Sequence, residues 1–401
     1  MAEHNQEELP LWDENNSVEV DTELKVERED EGANSDAHPW DPDKIRITTK
    51  HFTLREVVDQ IQDKDIDLAP DFQRDYVWDT RQKIKLVESV LLGIPLPAFY
   101  FNQDSSGVYQ IVDGVQRLST IASFMNGEYC LNQTHLEYLK QLDGLRYSDL
   151  SPLDARRFRA TQIVAHVIEP STPEAIKYDI FSRVNTLGSP LKPQEIRHAM
   201  SSERSRDFLK MMIEKTEFDE ATNYNFWSKK NGKFCRDSGR MTDRELVLRF
   251  CAFKLSTLDD YKKYSSLDRF LIDFTRRLDG KTSEVTDKAP ITDEQFLMLE
   301  ESFTSAMRSA HQALRDNAFR RSEFDKRRGP INRAIFESQS IALSEYPYET
   351  ISKKASEIND AFIKLFSEQE YTKSVTVGTG APASVSTRLT KTRDALKEIF
   401  K

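Results

Sequence analysis

Residues 98–125 read AFYFNQDSSGVYQIVDGVQRLSTIASFM, and this stretch decides the fold of the N-terminal half of the chain. Apolar residues dominate Ala98–Asn102 and Val108–Val112, and a short polar turn separates the two runs, which predicts a β-hairpin. Gly114 breaks the second strand, and Leu118–Met125 has the spacing of a helix. The stretch therefore predicts two antiparallel strands that lead through a tight turn into a helix.

The residues on both sides extend the same pattern. Periodicity predicts strands at 45–49 and 162–169 and helices at 54–61, 80–92, 173–184 and 193–201. After about residue 200 strand signals nearly vanish, and helical spacing predicts helices at 244–255, 267–278, 293–315, 332–344 and 349–366. The predicted fold class is α+β: an α+β domain at 45–200, then a mostly helical domain at 201–401 with a Gly-rich loop at 372–387 and a final helix at 388–400.

The negative charge of the chain is concentrated in its first 44 residues. The 401 residues carry a net charge of −10, but residues 1–44 hold fifteen acidic and three basic side chains. The remainder is at −10 + 12 = +2, so nucleic acid is not excluded as a partner. We expect 1–44 to be an acidic disordered tail. It either keeps the chain soluble, docks on a partner through Leu9–Trp12, or covers a basic groove as a DNA mimic.

Several classes of protein are excluded by composition. No apolar run reaches the roughly 18 residues of a bilayer-spanning helix, so a membrane is not an expected partner. The start, MAEHNQEELP, lacks the basic and apolar regions of a secretion signal, which predicts a cytoplasmic location. The three cysteines are far apart and the seven histidines form no HxH or HxxxH pair, which argues against a zinc site or a disulfide framework.

The segment VDGVQR at Val112–Arg117 stands between the predicted strand and the predicted helix. Glycine allows a tight turn and close approach of a ligand, and the amides at the start of the following helix form an anion site. Arg117 adds a planar cation suited to phosphate, while Asp113 either binds a metal, Mg²⁺, or positions a water. Gln116 would orient either one. The alternative is an ordinary strand–turn–helix junction with a capping aspartate and a surface arginine.

Two further segments carry candidate ligand-binding residues. DFQRDYVW at 71–78 places Gln73 and Arg74 between aromatic residues, where they either complete an anion cradle or belong to a loop fastened to the core. FSRVNTLG at 181–188 lies at the end of a predicted helix. There Asn185 either caps the helix or, with Arg183, reaches the same phosphate pocket.

These three segments resemble one family in their order and spacing. QRDYVW, a helix ending in GIPLP, the hairpin into DGVQR and then FSRVNTLGSPLKPQE are similar to the N-terminal domain of GmrSD- and SspE-type DNA restriction proteins. The similarity covers roughly residues 45–200. It implies a ParB/sulfiredoxin-like α+β fold that binds and hydrolyses a nucleotide.

The resemblance also assigns family motifs to positions of this chain. The family's QR pair falls on Gln73 and Arg74, its DGQQR motif on Asp113–Arg117, and its FxxxN motif on Phe181 and Asn185. One glutamine of DGQQR is replaced by valine, at 115. Turnover would be weakened if that side chain contacts the nucleotide or metal, and nothing would be lost if it points into the core.

The C-terminal half departs from the longer members of that family. They continue into an HNH-type nuclease domain, whereas 201–401 contains a single histidine, His311, so a stand-alone member without this domain is expected. The strongest basic cluster, at 315–333, interleaves seven cations with phenylalanines, and acidic residues interrupt it. It is either a DNA contact or an ordinary solvated helix face, and the candidate DNA-binding residues are Arg320, Arg321, Lys326, Arg327 and Arg328.

Two hypotheses of function follow. The first is a Mg²⁺-dependent NTPase, an NTP-binding and NTP-hydrolysing switch protein in DNA restriction or anti-phage defence. Its catalytic residues would be Asp113, Gln116 and Arg117, and its nucleotide-binding residues Gln73, Arg74, Gly114, Arg183 and Asn185. The second is a DNA-binding module or DNA nuclease of ParB-like fold without NTPase activity. The expected cofactors are Mg²⁺ and a nucleoside triphosphate, and the candidate partners are DNA, a separate nuclease or effector protein, and a second copy of the chain.

Overall fold

The structure is a computed structural model of the whole chain. It describes residues 26–27, 29–30, 41–68, 78–104, 106–184, 192–230, 232–238, 240–321 and 329–401. The predicted sites at Gln73, Arg74, Asn185, Lys326, Arg327 and Arg328 lie outside these residues, as does most of the predicted acidic tail.

The N-terminal region alternates strands and helices, as the sequence predicts. Its elements are β1 Ile47–Thr53, α1 Leu54–Gln62, β2 Ile66–Asp67, α2 Thr80–Leu91, β3 Phe99–Gln103, β4 Tyr109–Asp113, α3 Val115–Met125, α4 Pro152–Ala160, β5 Gln162–Ile168, α5 Glu174–Val184 and α6 Pro193–Met200. The predicted α+β class is confirmed.

One mixed sheet organises this region. Its five strands lie in the order β1-β5-β3-β4-β2. The β3–β4 pair is the antiparallel hairpin predicted from the sequence, and β1 pairs antiparallel with β5. Strand β3 is parallel to β5, and β2 is parallel to β4. The VDGVQR segment therefore begins at the end of β4, next to the central strand β3.

Alternating side chains of the central strands are buried on opposite faces of the sheet. Ile111 and Val167 belong to the core under α1–α4, while Val112 and Ile168 pack with α5 and α6. Successive residues of a strand point to opposite faces, so a strand covered on both faces is apolar at consecutive positions. This explains the consecutive apolar pairs Ile111–Val112 in β4 and Val167–Ile168 in β5.

The region after residue 200 is mostly helical, which confirms the prediction. Its elements are α7 Glu203–Ile213, α8 Thr216–Ala221, β6 Trp227–Lys230, β7 Lys233–Arg236, α9 Thr242–Lys254, α10 Leu258–Tyr261, α11 Leu267–Leu278, α12 Asp293–Leu314, α13 Arg333–Leu343, α14 Tyr348–Lys353, α15 Ala355–Leu365, α16 Gln369–Ser374 and α17 Pro382–Ile399. Helices α9 and α13 lie at its centre, since α9 is buried from Thr242 to Phe253 and α13 from Ala334 to Leu343.

The predicted Gly-rich loop at 372–387 is wrong over most of its length. Helix α16 continues to Ser374 and α17 begins at Pro382, so only 375–381 lies outside helices. Proline suits the first position of a helix, where no backbone donor is needed. Val385 and Leu389, four residues apart, are buried against the domain core and hold the first turns of α17 in place.

Part of the predicted disordered tail is instead packed on the helical domain. Val26 forms a bridge with Ile331, and the amide of Glu27 donates to the Ile331 carbonyl at 2.7 Å. Glu29 forms an ion pair with Arg249, and the Thr379 amide donates to the Asp30 carbonyl at 2.8 Å. Arg249 is wholly buried, and a buried guanidinium is stable only when it is paired with carboxylates. This requirement explains why Glu29 and its neighbours pack on the helical domain.

Among the residues that the structure describes, no helix combines the length and the apolar character needed to cross a membrane.

Candidate functional site

The motif residues 113–117 form the turn between β4 and α3. Asp113 ends the strand, and Gly114 is the N-cap of the helix with φ 100° and ψ 7°, in the left-handed region. The first intrahelical bond runs from the Leu118 amide to the Gly114 carbonyl at 2.9 Å. The amides of the first turn therefore precede the helical ladder and point toward the turn, which is the arrangement that binds anions.

Gly114 is fixed by packing as well as by its backbone angles. A Cβ atom at this position would lie 2.2 Å from Cδ1 of Phe99, which is itself fully buried. Phe99 is the first residue of β3, so the glycine lets the turn rest directly on the neighbouring strand. The predicted close approach at Gly114 is thus toward a side chain of the domain's own core.

Arg117 is held beneath the turn rather than on its surface. Its guanidinium donates to Asp113 Oδ2 at 2.7 Å, to the Pro97 carbonyl at 2.5 Å and to the Ala98 carbonyl at 3.3 Å. The same group lies 4.2 Å from the centre of the Phe99 ring. Burial lowers the pKa of Arg117, although the Asp113 carboxylate opposes this shift, and the side chain is 12% exposed. Arg117 therefore joins the turn to the GIPLP segment and positions Asp113.

Asp113 is the motif residue that the structure presents to solvent. Its side chain is 38% exposed, three times the exposed fraction of its partner Arg117. A carboxylate with one oxygen on an arginine can still offer the other to a cation. Mg²⁺ commonly takes one or two protein carboxylates and completes its shell with waters and phosphate oxygens. Asp113 is the one carboxylate that the described part of the 113–117 motif could offer to such an ion.

Gln116 fastens the segment that carries the second motif. Its Oε1 accepts a hydrogen bond from the Trp78 amide at 3.2 Å, and Trp78 packs on the N-terminal core. Gln73 and Arg74 stand five and four residues before this anchored tryptophan in the sequence. At Trp78, the last residue of the segment 71–78, the chain is therefore fastened to the core.

Val115 has its side chain in the core. It is 8% exposed and packs with the apolar residues beneath α1–α4. The side chain of Val115 therefore points into the core, which is one of the two orientations that the sequence left open.

The third motif segment lies on the other face of the sheet. Phe181 of α5 is fully buried in a cluster that includes Val112 and Ile168, the last apolar residues of β4 and β5. Arg183, two residues further, is exposed in the last turn of α5. The structure thus packs the helix that precedes Asn185 against the strand that ends in Asp113.

The predicted basic cluster in the helical domain is only partly exposed. Arg320 is 5% exposed and donates to the carbonyls of Gly329 and Thr222 and to Asn225. The prediction that Arg320 contacts DNA is wrong, because a buried guanidinium that donates to three protein acceptors is not available to a phosphate. Arg321 is 46% exposed and forms an ion pair with Glu27.

A buried ion network in the helical domain was missed by the sequence analysis. Arg249 and Arg388 are wholly buried, and Arg388 pairs with the equally buried Glu337. Arg249 forms ion pairs with Glu245 and Glu29. Burial would raise the pKa of Glu245, but the positive charges of Arg333 and Arg249 outweigh burial and lower this pKa to about 2. One signal in the sequence was available: Glu245 and Arg249 stand four residues apart within the apolar sequence of α9. A helix that is apolar on all sides is buried, so charged residues within it are expected to be paired.

A cavity lies at the opposite end of β4 from Asp113. It has a volume of about 600 Å³ and opens beside β2 and the start of β4, between Ile66, Leu68, Gln110, His198 and Arg206. His198 is 2% exposed, and burial lowers its pKa well below the usual value, with Arg244 and Arg206 adding repulsion. No group of three or more His, Cys, Asp or Glu side chains suited to a metal occurs within the described ranges.

The geometry defines an α+β domain in which a left-handed glycine turn joins β4 to the start of α3. Residues 54–202 match the family model described as the N-terminal domain of the GmrSD restriction endonuclease. The match spans α1 to α6 and includes all three motif segments, so this part of the chain resembles that domain, as the motifs indicated. No curated protein and no solved structure matches the chain significantly.

Proposed function

We propose that the chain is an NTP-binding and NTP-hydrolysing switch protein of a restriction-type or anti-phage DNA defence system. The resemblance of residues 54–202 to a restriction endonuclease domain supports the setting. The observation that supports the chemistry is the half-exposed Asp113 carboxylate, held by Arg117 at the left-handed turn before α3.

Each motif residue has a distinct part in this proposal. Asp113 binds Mg²⁺, which when present offsets the charge of the phosphates. Arg117 orients Asp113 and adds positive charge beneath the turn, and the first amides of α3 receive phosphate oxygens. Gln116 holds Trp78, and through it the segment with Gln73 and Arg74.

The phosphate contacts of the other motifs complete the proposed site. Arg74 brings a second guanidinium to the phosphates, while Gln73, Arg183 and Asn185 orient the nucleotide and the attacking water. A nucleotide that contacts both the turn at Asp113 and the C-terminal end of α5 would link the N-terminal domain to the following helices, which is the basis of the proposed switch.

Binding tests this proposal with two matched aspartate variants. Asp113→Asn keeps the shape of the side chain and a bond to Arg117, while Asp63→Asn removes an exposed carboxylate at the end of α1. We expect the wild-type and Asp63→Asn proteins to bind non-hydrolysable analogues of ATP, GTP, CTP or UTP more tightly with Mg²⁺ than without it. Asp113→Asn should lose most of this Mg²⁺ dependence. Equal Mg²⁺ dependence in both variants would remove Asp113 from the site.

The second hypothesis, a DNA-binding module or nuclease without NTPase activity, is favoured by a different feature. That feature is a basic hairpin in the helical domain, and it is compatible with a nucleotide site in the N-terminal domain.

A further inference from the structure

The β6–β7 hairpin is a local concentration of positive charge. Residues 225–236 read NFWSKKNGKFCR and contain three lysines, one arginine and no acidic residue, in a chain whose net charge is −10. The strands pair antiparallel with Lys229 opposite Phe234 and Lys230 opposite Lys233. Gly232 has φ 79° in the turn, as an Asn-Gly hairpin turn requires.

The tip of the hairpin presents cations and an aromatic ring to solvent. Lys229 and Lys233 are exposed, and Phe234 is 50% exposed. The Lys229 ammonium lies 5.9 Å from the centre of the Phe234 ring. An exposed aromatic ring beside a cation offers a face on which a base or a sugar can pack.

The base of the hairpin is firmly attached to the domain. Arg236 donates to both oxygens of Asp219 in α8, at 2.8 and 2.7 Å, and lies over the Trp227 ring. The Asp237 amide donates at 2.7 Å to the carbonyl of Phe226, whose side chain is fully buried. The exposed lysines therefore stand on a rigid support.

The hairpin adjoins the basic segment that follows α12. The buried Arg320 guanidinium bonds the Thr222 carbonyl at 3.2 Å and Asn225 at 3.4 Å, just before β6. Arg321, half exposed, is the next residue. Arg320 thus ties the chain after α12 to the residues just before β6.

From these observations we propose that the β6–β7 hairpin binds the phosphodiester backbone of nucleic acid. Lys229 and Lys233 contact phosphates, and Phe234 makes an apolar contact with a base or sugar. Phosphate contacts by lysine supply affinity without reading sequence. A two-stranded ribbon fits the grooves of a duplex, and an exposed ring next to a cation also suits a single strand. This inference goes beyond the nucleotide site and does not depend on it.

Fluorescence anisotropy of the full chain with a labelled duplex and with its single strand tests the proposal. The variant Lys229→Gln/Lys233→Gln removes two hairpin charges, and Lys262→Gln/Lys397→Gln removes two from side chains that are 58% and 59% exposed elsewhere. We expect the hairpin variant to bind on the order of tenfold more weakly, with a salt slope reduced by about 2. The control should bind like the wild type.

Phe234→Ala distinguishes the two forms of nucleic acid. A larger loss on the single strand assigns base stacking to the ring, and a larger loss on the duplex assigns a groove contact. Unchanged circular dichroism and melting temperature establish that the variants are folded.

Three results would overturn the proposal. One is absence of binding to either DNA at low salt, and another is equal affinity of the hairpin and control variants. The third is binding of an acidic peptide, but not DNA, that depends on Lys229 and Lys233, which would assign the surface to a protein segment.

Discussion

Replacement of Glu29 by glutamine should destabilise the helical domain strongly. The Glu29 carboxylate is 9% exposed, receives bonds from Arg249 at 3.0 and 2.5 Å, and accepts another from the Thr379 hydroxyl at 2.7 Å. Burial alone would raise the pKa of Glu29, but the charge and hydrogen bonds of Arg249 outweigh it and lower the pKa. The carboxylate is therefore ionised in the folded protein.

The magnitude follows from the charge balance of the buried network. Three arginines, 249, 333 and 388, face three glutamates, 29, 245 and 337. Glutamine keeps the shape of the side chain but leaves one positive charge uncompensated. Breaking a buried ion pair costs about 3–5 kcal/mol, which corresponds to a loss of roughly 6–20 °C in melting temperature for a domain of this size.

Thermal unfolding followed by circular dichroism measures this loss. The matched control is Glu357→Gln, because Glu357 is 55% exposed and pairs with Lys354 on the surface. The control should melt close to the wild type, since surface ion pairs contribute little. A Glu29→Gln protein that melts together with the control would refute the assignment of residues 26–30 to the folded domain.

Two further predictions concern the turn at Gly114 and His198 of α6, the last helix of the N-terminal domain. Gly114→Ala should lower stability by about 2–5 kcal/mol in urea unfolding, because it combines a left-handed backbone with a clash against Phe99. Adding Phe99→Leu should recover part of the loss, and no recovery would count against the clash. The pKa of His198 is lower in the folded protein than in the unfolded chain, so the unfolded state binds more protons. The free energy of unfolding should therefore fall as the pH drops below about 6.5, by up to about 1.4 kcal/mol per pH unit. Urea unfolding at pH 7 and pH 5.5 should show a smaller pH difference in His198→Phe, and an equal difference in both proteins would contradict this explanation.

Most strands and helices of the N-terminal domain could be predicted because their patterns are local, whereas β2 and α4 were not predicted. The hairpin of β3 and β4 follows from two apolar runs around a turn, and α11 was predicted with its observed limits, Leu267–Leu278. The region predicted as one helix at 349–366 is divided at Lys354 into α14 and α15. Helical spacing continues across such a break, so periodicity alone does not reveal it.

The elements that were missed depend on partners distant in sequence. Strands β6 and β7 have four residues each and carry lysines, so they lack an alternating apolar pattern, although the Asn-Gly turn was a usable signal. Residues 26–30 are acidic and were expected to be solvated. Their order comes from Arg249, which is 220 positions away from Glu29.

In the candidate site, too, contacts between residues from different segments could not be predicted from the sequence. The sequence identified Asp113, Gly114 and Arg117 as a unit, and the structure brings them together. It did not reveal that Arg117 would be committed to Asp113 and two carbonyls, because the acceptors at 97 and 98 belong to another segment. Residue type alone does not distinguish a positioning arginine from one that is available to phosphate.

Phosphate release from ATP, GTP, CTP and UTP in the presence of Mg²⁺ tests the central proposal most directly. The wild type and Asp63→Asn should release phosphate from at least one of them, with and without added DNA, and Asp113→Asn should be inactive while retaining its melting temperature. No release from any nucleotide by the wild type, or equal release by a folded Asp113→Asn protein, would contradict the proposed NTPase.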